Sequence, residues 1–199
     1  METRKKEEME RYDRVSRQLA KNNTDRNFKD IEHRIFPSYQ FVESWMKRHV
    51  QKDDALLDYG CGNGVHSILP AKLGAKVTGI DLSNESLKLA KQLAKRERLD
   101  ITFLQMDCEN LGFPEDAFDL IFDSGSFSSL DLKKALPELA RVLKPGGRLI
   151  AIETLGHNPL TNLKRKLNKL IGKRTSWAVD HIFKINDLKL MENYFKTVE

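Results

Sequence analysis

The stretch "LLDYGCGNGVHS", Leu56 to Ser67, sets the reading of the whole chain. An apolar run ends in Asp58, and Gly60, Gly62 and Gly64 follow at alternate positions. Glycine lets a backbone turn sharply and approach a ligand without Cβ interference, so three in five residues after a buried strand mark a tight strand–helix turn, a ligand loop, or both. The helix that follows offers free N–H groups. A dinucleotide fingerprint of the form G-x-G-x-x-G/A does not fit, because its last position falls on Val65 or Ser67.

Outward from this stretch, short apolar runs alternate with helical patterns. "ALLDYG", "AKVTGID", "ITFLQMD", "FDLIFDS" and "GRLIAIE" read as strands; "HSILPAKLG", "NESLKLAKQLAKRERL" and "DLKKALPELARVLKPGG" read as helices between them, the last stopped by "KPGG". This alternation predicts right-handed βαβ units, hence an α/β fold of Rossmann-like, doubly wound type: a mostly parallel sheet with helices on both faces. The first fifty residues read as charged and helical, with "EEMERYDRVSRQLAKN" and "PSYQFVESWMKRHV" as two amphipathic helices. Near the other end "INDLKLMENYF" reads as a helix with Asn186 as its N-cap, and "KTVE" as the start of a sixth strand.

Glycines spaced G-x-G-x-G after an acid resemble motif I of the class I S-adenosylmethionine (SAM)-dependent methyltransferases. The resemblance extends from Ala55 to Glu153. "VTGIDLS" is similar to the family's second strand, whose acid, here Asp81, holds the ribose hydroxyls; a carboxylate can accept both hydroxyl hydrogens. "FLQMDCENLGF" is similar to the third strand and its loop, which implies Asp107 for the adenine amino group and Cys108 beside the ring. "FPEDAFDLIFDSGSF" and "ELARVLKPGGRLIAIE" resemble the segments around strands four and five. The resemblance implies SAM as cofactor, S-adenosylhomocysteine as product, and Asp58, Gly60, Cys61, Gly62, Gly64, Asp81, Leu82, Asp107, Cys108 and Ser124 as cofactor-binding residues. Read singly, Asp81 is an ordinary loop carboxylate, Asp107 a cap for "CENL", and the two cysteines packing residues. His66, in the turn after motif I, is expected to pack beside the methionine moiety. No metal is expected.

Methyl transfer from a sulfonium is an in-line displacement, so the protein's work is to align the acceptor and exclude water. A base is needed only for an acceptor that must lose a proton. The acceptor pocket is expected between "DSGSFSSLD" and "ETLGHNPL". Quinone-biosynthesis relatives carry a His pair in the first of these loops; Phe127, Ser128 and Ser129 stand there instead. The second resembles a small-molecule branch with "HNP" after strand five and "RT…(D/E)H" downstream, matched by His157, Asn158, Pro159, Arg174, Thr175, Asp180 and His181. The candidate catalytic residues are His157, as a base or as a loop-stabilising group; Glu153, as an acceptor ligand or a loop anchor; and His181 with Asp180 beside it.

From Leu160 to Trp177, leucines recur at helical spacing among basic residues with no acid. Two readings stand: a surface helix, or a lid over the acceptor pocket that meets anionic lipid or an anionic substrate. This lid, the N-terminal helices and the aromatic residues Tyr12, Phe28 and Phe36 are expected to cover the acceptor side.

The 199 residues suit one domain, with 1–50 as a helical cap, 51–154 as the SAM-binding core and 155–199 as the acceptor-side segment and last helix. The composition, 40% hydrophobic and 32% charged, allows both a core and solubility; the absence of an apolar leader pattern points to the cytoplasm. Two cysteines without metal-type spacing argue against a disulfide scaffold. A net charge of +5 permits an anionic partner without requiring nucleic acid. The chain is expected to methylate a small molecule at O, N or C, with a lipophilic acceptor and peripheral membrane contact through 160–177 as the sharper form. The alternatives are a nucleic-acid methyltransferase, weakened by the lack of an "NPPY"-type motif, and a non-catalytic SAM-binding module. The C-terminal strand pair typical of the class reads as incomplete at "FKTVE", which leaves room for a partner or a second copy, as in a homodimer.

Overall fold

The computed structural model describes residues 2–21, 37–157, 159–172 and 174–198. Phe28, Phe36 and Asn158, named above, lie outside them. Five strands form one sheet in the order β3-β2-β1-β4-β5, with β1 Ala55–Tyr59, β2 Lys76–Asp81, β3 Thr102–Gln105, β4 Phe118–Ser124 and β5 Leu143–Ile152. Every pairing is parallel. The order reverses between β1 and β4, so the ligand crevice opens beyond the carboxyl ends of these two strands.

Among the described residues the helices are α1 Thr3–Lys21, α2 Pro37–His49, α3 Ile68–Lys72, α4 Asn84–Glu97, α5 Leu132–Val142, α6 Pro159–Leu170, α7 Ser176–Asp180 and α8 Ile185–Met191, with a 3₁₀ turn at Phe127–Ser129. Strand alternation divides the core. Leu57, Tyr59 and Ile121 face a cluster with Leu136, Leu139 and Val142 of α5. Leu56, Leu120 and Phe122 face Val42 and Met46 of α2 on the other side. The doubly wound architecture is therefore as the alternation of patterns predicts.

Three boundaries differ from the sequence reading. Strand β5 begins at Leu143, because Leu143 pairs with Phe118 ahead of a register shift, and "KPGG" forms an irregularity within the strand. Helix α8 starts at Ile185 with Lys184 as its N-cap, not Asn186; Asp187 accepts the Lys184 N–H at 2.6 Å, and the helix ends at Met191. Residues 196–198 form no strand, although Val198 packs against the core.

The largest departure is α6. Its leucines face solvent and Arg165 faces inward, the reverse of what the spacing of apolar residues predicts for a helix on a folded surface.

Candidate cofactor and methyl-acceptor site

Motif I leaves β1 at Tyr59 and turns through Gly60, Gly62 and Gly64, all at positive φ. Two of these glycines are required for different reasons. A Cβ on Gly64 would lie 2.8 Å from the Ala90 Cβ, so the loop can pack against α4 only without a side chain. Gly62, at φ +52°, has nothing within 4 Å of its Cβ position, so it lines open space. The Gly62 N–H donates to Asp81 Oδ2 at 2.9 Å and the Ser83 N–H donates to Oδ1 at 2.7 Å. Asp81 is thus fixed at the end of β2 beside the open face of the loop, with lone pairs remaining for hydroxyl donors. Burial pushes its carboxyl up, against the pull of these two N–H groups. These features fit a SAM cradle: a glycine loop open at Gly62, an acid at the end of the second strand, and space between.

Asp58 stands at the root of the loop. It is buried and accepts a hydrogen bond from the Ser67 hydroxyl, and burial pushes its carboxyl up to about 7. It braces the turn into α3 and has no access to a ligand. Cys61 and Cys108 are buried, and burial raises both thiols well above their ordinary range, which makes them packing residues. The Cys61 N–H donates to Ile80 O at 2.8 Å, and Tyr59 Oη donates to Cys108 O at 2.6 Å. The Leu82 carbonyl accepts from Gln105 Nε2 at 2.9 Å, and Ser124 Oγ lies 3.4 Å from Tyr39 Oη. His66 stacks on Tyr39 at 5.2 Å and meets Phe122 edge-on at 5.4 Å, so it is a packed ring at the side of the crevice.

Asp107 is not open. Its Oδ1 accepts the Glu109 N–H at 2.9 Å, and its Oδ2 is 2.6 Å from Lys5 Nζ. Lys5 also lies 2.9 Å from Glu109, to which Arg4 makes a two-pronged bond at 2.7 and 2.5 Å. Burial works against ionised Glu109, but Arg4, the Asp131 N–H and Lys5 together hold its carboxyl down to about 2. The rest of α1 follows the same edge. Asp13 accepts from Ser83 Oγ at 2.6 Å, Ser16 meets Ser86 at 2.9 Å, and Thr175 donates to Glu8. Tyr12 has its hydroxyl pKa raised by burial, with the Glu8 and Asp81 carboxylates pushing the same way. The N-terminal helix therefore packs along the edge of the crevice next to Asp81 and Asp107, joined to it through Lys5, Asp13 and Ser16.

Beyond β4 and β5 lies a second carboxyl pair. Asp123 is fully buried; its Oδ1 accepts from Ser126, and its Oδ2 has no hydrogen-bond partner among the described residues. Glu153 Oε1 accepts the Phe127 N–H at 2.7 Å. Burial raises both carboxyls, and their mutual repulsion raises Asp123 further, so the pair keeps a proton above the usual carboxylate range. Arg165 of α6 is 5% exposed, near enough to Glu153 to favour its charged form, and its Nη1 lacks a hydrogen-bond partner among the described residues. His157 sits in the exposed turn after β5. His181 stacks on Trp177 at 3.5 Å and its Nδ1 lies 3.0 Å from the Trp177 carbonyl, so the expected pairing with Asp180 is not formed.

The sequence reading missed Asp123, Lys5, Arg4 and Arg165. A signal for Asp123 is present: each of the five strands has an acid within two residues of its end, namely Asp58, Asp81, Asp107, Asp123 and Glu153. The cations come from α1 and α6, and only the tertiary fold brings them to those acids.

Residues 57–151 match the family model described as a methyltransferase domain. The chain is 36% identical over 115 residues to ribosomal protein L11 methyltransferase of Burkholderia mallei, covering 57% of this chain and 36% of that protein's length. A SAM-dependent methyltransferase from Methanosarcina mazei is 32% identical, covers 65% of this chain and 66% of its own, and superposes with a TM-score of 0.54. A putative methyltransferase of Haloferax volcanii, solved in complex with the Trm112 methyltransferase activator, shares the fold with a TM-score of 0.65 at 21% identity over 92% of this chain and 75% of that one. Motif I, the acids that follow it, the strand order and these matches agree: the chain carries a methyltransferase domain of class I, whose cofactor is S-adenosylmethionine.

Proposed function

We propose that the protein transfers a methyl group from SAM to a small-molecule acceptor bound beyond the ends of β4 and β5. The observation that carries this reading is the pair formed by buried Asp123 and half-buried Glu153, with buried Arg165 of the chain's own α6 near Glu153. An acceptor that reaches this pair must fit under a cover the protein itself supplies. SAM supplies an activated methyl on a sulfonium. The chain's residues supply the alignment: Gly62 leaves the loop face open, Asp81 takes the ribose, and the α1 contacts close the adenine end. For an acceptor that must lose a proton, Glu153 is the receiving group, held by the Phe127 N–H and tuned by Asp123; His157, on the turn after β5, is the second candidate. Asp107 is the adenine ligand once it shares its Oδ2 with, or is released by, Lys5.

A protein acceptor, as in the name of the L11 relatives, rests on a match to 36% of their length. The two readings separate when the full chain is given methyl-labelled SAM and a cell extract resolved into small-molecule, protein and nucleic-acid fractions. Label in the small-molecule fraction, insensitive to protease and nuclease, supports the proposal. Label in protein or nucleic acid overturns it.

A further inference from the structure

Helix α6 exposes the wrong face for a helix that meets only water. Leu160 is 77% exposed, Leu163 56%, Leu167 54% and Leu170 81%, with Ile171 just beyond at 63%. Arg165, on the same helix, is 5% exposed. At 3.6 residues per turn these five apolar residues fall within an arc of about 100°. Lys164 and Lys166, both exposed, border that arc on its two sides, and exposed Lys169 lies beyond Lys166. Arg165 falls on the opposite side of the helix and is buried. Between Glu153 and Asp180 the sequence holds six basic residues and no acid.

We infer that α6 is an interfacial anchor that docks the protein, leucine stripe down, on an anionic lipid surface. A continuous apolar stripe bordered by lysines is the pattern that buries its apolar face at the acyl boundary while its cations meet phosphate headgroups. Charge decides against a second copy of the chain as the occupant. A symmetric pairing of two such stripes would set basic borders against basic borders with no acid on the helix to relieve them. The docking is peripheral, since no helix among the described residues is long and apolar enough to cross a membrane. It lays the outer face of the acceptor-side cover on the bilayer.

The test is flotation of the full chain with vesicles of phosphatidylcholine alone or mixed with phosphatidylglycerol, at low and at 0.5 M salt. The wild type should float with the anionic vesicles, and high salt should weaken binding severalfold. The double variant Leu163→Glu, Leu167→Glu should lose at least tenfold in partition with an unchanged melting temperature, since both side chains are already exposed. Lys164→Gln with Lys166→Gln should lose severalfold, whereas Lys91→Gln with Lys95→Gln, exposed on α4, should lose little. Absence of flotation overturns the inference, as does equal binding by the leucine variant or an equal loss in the α4 control. A concentration-dependent dimer abolished by the leucine variant, without vesicle binding, overturns it too and assigns the face to a second copy.

Discussion

Lys5 Nζ lies 2.6 Å from Asp107 Oδ2, so the first helix of the chain holds the carboxylate that follows the third strand. In the proposed function, cofactor binding and the docking of α1 share this one acid. Asp107→Ala should weaken S-adenosylhomocysteine binding by about tenfold, the worth of one hydrogen bond to a charged group. Lys5→Met frees an oxygen and should tighten it severalfold. Calorimetry on both variants checks the pair; a Lys5→Met protein that binds as weakly as Asp107→Ala would show that Lys5 orients the acid rather than competing for it.

Gly62 faces open space at φ +52°. Gly62→Val places a branched side chain in that space and in a backbone region it resists, at a cost of about 1–3 kcal/mol. The variant should fold, by circular dichroism, and fail to bind S-adenosylhomocysteine. Normal binding by a folded variant would remove this face of the loop from the cofactor site.

Asp58 gives a pH signature. Its pKa in the folded protein is about 7 against an ordinary 3.8, so its contribution to stability is complete below about pH 4 and is lost as pH rises through 7. Asp58→Asn keeps an acceptor for the Ser67 hydroxyl and has no charge to bury. The wild type should lose thermal stability between about pH 4 and 7, and the variant should lose less, ending about 1–3 kcal/mol ahead once pH is above 7. Parallel melting curves across this range would mean that Asp58 is not strained by ionisation.

Much of this was legible in the sequence, and the reason is local. The motif I glycines and the strand–helix alternation are each set by neighbours within a few residues, so the sheet and its glycine loop could be read directly. The face of α6 could not. Periodicity shows that a helix has two faces, but which face turns inward depends on what it meets, here Glu153 on the inner side. Lys5 and Asp107 are 102 positions apart, and nothing in the spacing of either pointed to the other.

For the acceptor side, Glu153→Gln and His157→Ala separate two bases. With an acceptor that must lose a proton, the Glu153 variant should lower kcat by about 10²–10⁴-fold and lose the ascending limb of its pH profile. His157→Ala should keep that limb. The opposite assignment of the limb would make His157 the base and return Glu153 to anchoring the Phe127 loop.

In the proposed function Asp81, fixed by the Gly62 and Ser83 N–H groups at 2.9 and 2.7 Å, holds the ribose of SAM. Isothermal titration of S-adenosylhomocysteine into the wild type and into Asp81→Ala tests it most directly. The wild type should bind one to one and the variant should lose tenfold or more, since each hydrogen bond to the carboxylate is worth about 1.5–3 kcal/mol. A wild type that does not bind, or an Asp81→Ala protein that binds equally well, would contradict it.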